Sequence, residues 1–170
     1  MSPSRPTGPS RSDDGVDVLS EVRMPQPSAV PHLRAVGDLH VGHSVNREVA
    51  EGLHPGNPGD WLIVCGDVSE NVEAITRTLA RLRDRFAEVI WVPGNHELWT
   101  RTRDEVQLRG VARYEHLVDV CRSLGVHTPE DPFPVWTGAG GPVRVAPLFI
   151  LYGSYPRAVP SCGHSTGPPL

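Results

Sequence analysis

The chain has 170 residues, including 17 glycines and 18 prolines, and its formal net charge at neutral pH is −4. All 16 of its basic residues are arginine. The composition therefore excludes a lysine-dependent phosphate-binding loop, a Schiff-base enzyme and a Ser-x-x-Lys nucleophile. The negative net charge argues against a chain that mainly binds nucleic acid or a membrane surface.

The sequence contains neither an apolar stretch near the roughly 20 residues of a membrane helix nor an N-terminal secretion signal. We therefore expect a cytoplasmic protein with no membrane partner. Its three cysteines, Cys65, Cys121 and Cys162, are far apart, which argues against a disulfide framework or a zinc knuckle. The apolar neighbours of Cys65 and Cys121 favour small core residues over reactive thiols.

Composition divides the chain into three parts. A proline- and serine-rich tail over residues 1–31 is expected to be disordered, residues 32–151 form the domain, and residues 152–170 form an irregular tail rich in glycine, proline and serine. The foldable unit is thus about 120 residues long.

Hydrophobic patterns within the domain predict an α/β fold. Short runs rich in β-branched residues, each ending in glycine or proline–glycine, are typical of buried parallel strands. Between two of them, an apolar stripe at steps of three and four predicts a helix with Ser69 as its N-cap. In chain order, the predicted elements are strands over 33–36 and 61–65, a helix over 69–86, a strand over 89–92, a helix over 111–124, and strands over 134–137 and 143–151.

Polar side chains follow each of the first three predicted strands. Because ligands bind at the carboxyl ends of parallel strands, we expect these residues to meet at one edge of the sheet. Asp38 and His40, two positions apart, would point the same way on an extended strand end. The set consists of Asp38, His40, Asp67, Asn95 and His96.

This ligand set contains oxygen and nitrogen but no sulfur, which suits Mn²⁺, iron, Zn²⁺ or Ni²⁺ at a reactive site. Four of the five residues also have a plain structural alternative. His40 and Asn95 could be turn residues, the latter with positive φ, and Asp38 or Asp67 could cap a helix. A loop role is the simpler interpretation of Trp99, Arg101 and Arg103, although these could also line a substrate entrance.

Three short motifs at successive strand ends resemble those of the calcineurin-like metallophosphoesterases. They are Asp38-Leu39-His40, Gly66-Asp67 and Gly94-Asn95-His96-Glu97, in the order of that family. The resemblance covers about residues 33–151. It implies a layered sheet sandwich and hydrolysis of a phosphomonoester or phosphodiester by in-line attack of a hydroxide that bridges two metals.

The resemblance also implies roles for individual residues. Asp38 and His40 would bind the first metal, Asp67 would bridge both metals, and Asn95 would bind the second. His96 would stabilise the transition state or protonate the leaving oxygen, oriented by Asp38 or Glu97.

The later histidine motifs of the family are missing from the chain. Downstream of Glu97 the sequence has only His116, His127 and His164, and none of them stands in a Gly-His-x-His pair. We therefore expect a domain truncated after the first sheet and the start of the second. The second metal would be held weakly, and an exposed apolar sheet face would favour aggregation, self-association or a partly molten state.

Two functions thus follow from the sequence. The first is a phosphoesterase that uses two divalent ions (Mn, Fe, Zn or Ni) on a phosphorylated substrate of unknown type. The alternative is a catalytically inactive remnant or a module that binds metal or phosphate. A nucleotide-binding domain is less consistent with the sequence, because no Gly-x-Gly-x-x-Gly follows any predicted strand.

Overall fold

The structure is a computed structural model that describes residues 30–150. It consists of a main sheet of three strands, three helices, and a short two-stranded hairpin that follows them in the chain. In chain order the elements are β1 (Leu33–Val36), α1 (Ser44–Glu51), β2 (Trp61–Cys65), α2 (Val72–Arg83), β3 (Glu88–Val92), α3 (Gly110–Ser123), β4 (Val135–Trp136) and β5 (Val143–Arg144), with a 3₁₀ turn at His96–Leu98.

The three strands of the main sheet are parallel and lie in the order β1-β2-β3. This confirms the predicted parallel sheet. Alternate residues of β2 and β3 face the helices and contribute to the core: Leu62, Val64, Val89 and Trp91 are all buried. The carboxyl ends of all three strands therefore lie at the same edge.

Helix α2 has the predicted apolar stripe, in which Val72, Ile75, Leu79 and Leu82 are buried. Its N-cap, however, is Asn71 and not Ser69. The Asn71 side chain accepts a hydrogen bond of 2.8 Å from the backbone N–H of Ala74, whereas Ser69 Oγ accepts one from the N–H of Asn71. Ser69 thus shapes the loop before the helix.

Helix α3 matches its prediction to within one residue at each end. Leu117, Val118 and Cys121 are buried against the core, and Gly125 follows with a φ of +70° that suits a helix terminus. Helix α1 was not predicted; its only buried residue is Ala50, so it lacks the apolar stripe that identifies a surface helix in sequence.

The second face of the sheet, which points away from the helices, is covered only in part. Trp136 of β4 packs edge-on against Trp61, with ring centroids 5.2 Å apart. Further along the same face, Ile63 is half-buried, while Cys65 and Ala35 are exposed. The prediction that Cys65 is a core residue is therefore wrong, whereas the prediction for Cys121 is confirmed.

The predicted strand over 143–151 is much shorter in the structure and ends at Arg144. Strands β4 and β5 form a two-residue antiparallel hairpin, and Leu148 and Ile150 beyond it are exposed. Residues 1–29 of the predicted N-terminal tail and the whole predicted C-terminal tail, with Cys162 and His164, lie outside the described residues. Among the helices that are described, none has the length and apolar character needed to cross a bilayer.

Candidate metal centre

The loops after β1 and β2 have an unusual backbone at three predicted ligands. The φ angles of Asp38, His40 and Asp67 are +53°, +40° and +54°, in the left-handed region that non-glycine residues rarely adopt. The expectation that Asp38 and His40 continue an extended strand is therefore wrong. Such strain persists where surrounding contacts hold it and is common at functional sites.

Backbone hydrogen bonds between the two loops hold these conformations. The N–H of Asp38 donates to the carbonyl of Gly66 at 3.2 Å, and the N–H of His40 donates to that of Asp67 at 2.8 Å. The left-handed residues are thus fixed by contacts between neighbouring strand ends.

Two glycines let the loops after β2 and β3 touch. Gly66 has a φ of +77°, and a Cβ on it would lie 2.7 Å from the Cα of Gly94. A Cβ on Gly94 would overlap the carboxylate of Asp67. Glycine at both positions is therefore needed for Asp67 to lie directly against the loop that carries His96.

Glu97 is fully buried and accepts hydrogen bonds from both of these loops. Its carboxylate accepts hydrogen bonds from the backbone N–H groups of Asp67 at 3.0 Å, Val68 at 2.7 Å and Gly94 at 2.9 Å. Burial raises the pKa of Glu97, and the three N–H donors oppose that shift. Its role is to hold the loops together, so the expectation that Glu97 orients the His96 ring is wrong.

Three of the predicted site residues form one cluster. Nitrogen or oxygen atoms of His40, Asp67 and His96 all lie within 4.8 Å of one another, and the two imidazole rings meet edge to face with centroids 4.6 Å apart. We call these three residues the His–Asp cluster. Its donor set suits a divalent transition-metal ion, so the described residues fit one such ion.

Asp38 lies at the rim of the cluster. Its Oδ1 is 3.9 Å from Nε2 of His40, and the Asp38 side chain is 83% exposed. Asn95 directly precedes His96 with a φ of −75°, so the alternative of a turn residue with positive φ is wrong. The Asn95 side chain is exposed, and its role as a metal ligand stays a prediction.

Glu70 is the site residue that the sequence did not reveal. Its Oε1 lies 2.8 Å from Nδ1 of His96, and its Oε2 lies 3.1 Å from a guanidinium nitrogen of Arg101. Burial tends to raise the pKa of Glu70, but the hydrogen bond to His96 and the charge of Arg101 outweigh it and lower the pKa. Glu70, and not Asp38 or Glu97, orients His96.

With Nδ1 of His96 directed at an ionised Glu70, the other ring nitrogen, Nε2, is left to face a ligand or a reacting oxygen. In the sequence, Glu70 is marked only by its position three residues after Asp67, within the predicted helix over 69–86.

Two further side chains support this arrangement. The indole of Trp99 lies against the His96 ring, tilted by 36° and with centroids 3.9 Å apart, so Trp99 and Arg101 are not simply parts of a solvated loop. Arg113, buried on α3, donates from Nε to the carbonyl of Glu97 at 2.6 Å and from Nη2 to the carbonyl of Glu70. It connects the two segments that carry His96 and its partner.

The other described histidines downstream of Glu97 lie away from the His–Asp cluster. His116 is on α3, and His127 pairs with Glu88 at 3.3 Å near the start of β3. Neither belongs to the His–Asp cluster.

Comparison with known proteins agrees with the motifs. The sequence profile of the calcineurin-like phosphoesterase family matches residues 32–163. The chain is 58% identical over 124 residues to the [acyl-carrier-protein] phosphodiesterase PptH of Mycobacterium tuberculosis, a match that covers 73% of this chain and 38% of that protein.

The fold of this chain is similar to that in the crystal structure of the M. tuberculosis phosphopantetheinyl hydrolase PptH, with a TM-score of 0.72 at 58% identity. That match covers 73% of this chain and 44% of the other. The chain thus spans less than half the length of the relative it matches.

Proposed function

Because this chain belongs to the calcineurin-like phosphoesterases, we propose that it hydrolyses a phosphodiester with the help of divalent metal. The observation that carries the proposal is the His–Asp cluster, in which His40, Asp67 and His96 converge at the carboxyl edge of the sheet. The M. tuberculosis relative is an acyl-carrier-protein phosphodiesterase by name, and we extend that substrate class to this chain.

His40 and Asp67 would hold the metal, with Asp38 at the rim and Asn95 beside His96 as further predicted ligands. When bound, a divalent ion supplies Lewis-acid polarisation of a phosphoryl oxygen and a nucleophile at neutral pH. Asp67 has one oxygen, Oδ1, already engaged by the backbone N–H of His96 at 3.0 Å. Its second oxygen therefore remains for a ligand.

His96 provides the proton chemistry. Glu70 holds Nδ1, so Nε2 faces the position where the ester bond breaks and can donate a proton to the leaving oxygen. Trp99 covers the ring and limits its rotation. The carboxylate of Glu70 also stabilises the protonated imidazole, as the orienting carboxylate does in other histidine-dependent sites.

An inactive module that holds one ion is the second candidate. The observation that favours it is the number of cluster residues: among the described residues, three His, Asp or Glu side chains group closely enough to share an ion. Two metals about 3.5–4 Å apart need more ligands than these. Metal content distinguishes the two functions.

The test measures bound metal and hydrolysis of bis(p-nitrophenyl) phosphate for the wild type and for Asp67→Ala, with Asp119→Ala as the control. Asp119 is an exposed carboxylate on α3. Wild-type hydrolysis that Asp67→Ala abolishes and Asp119→Ala preserves would support the enzyme. Hydrolysis that survives Asp67→Ala would overturn the site, and one ion or none without turnover would favour the inactive module.

A further inference from the structure

A second concave site lies beside the His–Asp cluster, between α1 and α2. It is a cavity of about 280 Å³, a volume that suits a small ligand better than a protein partner. We call it the arginine cavity, because four guanidinium groups line it: those of Arg47, Arg77, Arg81 and Arg101. No residue of the His–Asp cluster lines this cavity.

The charge in the arginine cavity is positive. Its four arginines face two lining carboxylates, Glu51 and Glu70. Arg81 pairs with Glu51 at 2.6 Å and Arg101 with Glu70 at 3.1 Å. Even when Glu73, the partner of Arg77 outside the cavity, is included, four cations meet three carboxylates.

Arg47 accounts for the excess charge. Its Nε donates to the backbone carbonyl of Val41 at 3.2 Å, and in residues 30–150 it has no carboxylate partner within ion-pair distance. The side chains of Arg77 and Arg81 are 67% and 47% exposed, so both can rotate toward a ligand. Guanidinium groups bind phosphate oxygens through paired, charge-assisted hydrogen bonds.

The arginine cavity and the His–Asp cluster share a wall. Glu70 lines the cavity and also holds His96 through Oε1. Val41 and Gly42, which line the cavity too, directly follow His40 in the chain. A group bound in the cavity would therefore lie next to the cluster.

We propose that the arginine cavity is a phosphate-binding subsite, separate from the metal ligands and adjacent to them. Ser69, Asn71 and Thr78 supply additional polar groups along its wall. The use of this subsite by a substrate with a second anionic group rests on the proposed function. The ability of the cavity to bind phosphate does not.

The experiment titrates inorganic phosphate into the full chain by calorimetry, in the presence of a chelator so that metal does not contribute. The proteins are the wild type, Asp67→Ala, and the double variant Arg47→Gln/Arg81→Gln. Arg122→Gln is the control, because Arg122 is also an exposed arginine in an ion pair, with Asp131 on another face of the molecule. Thermal unfolding checks that each variant is folded.

We expect the wild type, Asp67→Ala and Arg122→Gln to bind phosphate equally, and more weakly as salt is added. The double variant should bind at least about tenfold more weakly, since each charge-assisted hydrogen bond contributes about tenfold or more. Equal binding by all four proteins would overturn the subsite. So would phosphate binding that disappears in Asp67→Ala, because that result would place the anion at the cluster.

Because the titration is made without metal, it is independent of turnover. A chain that hydrolyses no diester but binds phosphate through Arg47 and Arg81 would disprove the proposed function and support the subsite. A chain that hydrolyses the diester but shows no arginine-dependent phosphate binding would support the proposed function and overturn the subsite.

Discussion

At the scale of single residues, Glu70 acts on the proposed chemistry through His96, whose Nδ1 it holds. Replacing Glu70 with Gln keeps its size but removes the charge that stabilises a protonated His96. We expect kcat for an aryl phosphodiester to fall by about 10- to 100-fold, the usual range for loss of an orienting partner. Glu70→Asp should restore part of the activity.

The separation of kcat from KM distinguishes this role from a structural one. Glu70→Gln should lower kcat while KM and the free energy of unfolding stay close to their wild-type values, because Glu70 acts on the reacting groups through His96. A Glu70→Gln enzyme with an unchanged kcat would contradict the assignment.

Arg113 is a single residue whose effect should appear in stability. Its buried guanidinium donates to the carbonyls of Glu97 and Glu70, and Arg113→Met would leave both carbonyls unpaired. We expect the free energy of unfolding to fall by about 2–4 kcal/mol, measured by urea denaturation. Arg122→Met, on the exposed face of α3, is the control and should change stability much less. Equal losses for the two variants would contradict a special role for Arg113.

At the scale of elements, Asp60 ties the start of β2 to β1 and to the loop between α1 and β2. The buried carboxylate accepts hydrogen bonds from the N–H groups of His32 and Gly56, both at 2.8 Å, and from Nε of Arg34 at 3.0 Å. Burial alone would raise the pKa of Asp60, but these donors outweigh it and lower the pKa.

This shift predicts a pH-dependent contribution to stability. A carboxyl with a pKa below its unfolded value of about 3.9 stabilises the fold above that pH and loses the contribution as pH falls through the folded pKa. Asp60→Asn should therefore be less stable than the wild type at pH 7 by about 1–3 kcal/mol. The difference should narrow below about pH 4.

Urea denaturation at several pH values measures this difference, with Asp119→Asn as the control for the loss of one carboxylate. A gap between wild type and Asp60→Asn that stays constant down to pH 3 would contradict the role of the ionised Asp60.

The elements also show where sequence reasoning succeeded. The three parallel strands and α2 were predicted because their apolar periodicity is local and strong. The same pattern predicted that His40, Asp67 and His96 lie at one edge of the sheet, as the structure shows. Helix α1 was missed because a helix with one buried residue leaves no stripe to detect. Glu70 was not among the predicted site residues, because its partner, His96, is 26 residues away and no local pattern encodes that contact.

At the scale of the whole molecule, the exposed part of the second sheet face bears on self-association, which stays a prediction. Cys65 is exposed on this face, whereas Cys121 is buried. Burial raises the pKa of both thiols, that of Cys121 to about 12. In a Cys162→Ser background, a thiol reagent should modify Cys65 roughly 100-fold or more faster than Cys121, because a buried thiol is inert until the core opens.

If a second copy covers this face, the rate of Cys65 modification should fall as protein concentration rises. Sedimentation of the same samples should then show dimers. A Cys65 rate that does not depend on concentration would contradict self-association through this face.

The close contact of Gly66 with Gly94, together with the hydrogen bonds from both loops to Glu97, has a consequence for the order of assembly. The loops that carry Asp67 and His96 are held together by contacts between protein groups, and none of these contacts requires a metal ion. Metal would therefore enter a site that folding has already built, unlike a zinc finger, which needs its ion to fold. Chain collapse and cofactor loading would be separate events, so the protein could exchange one ion for another without losing its shape.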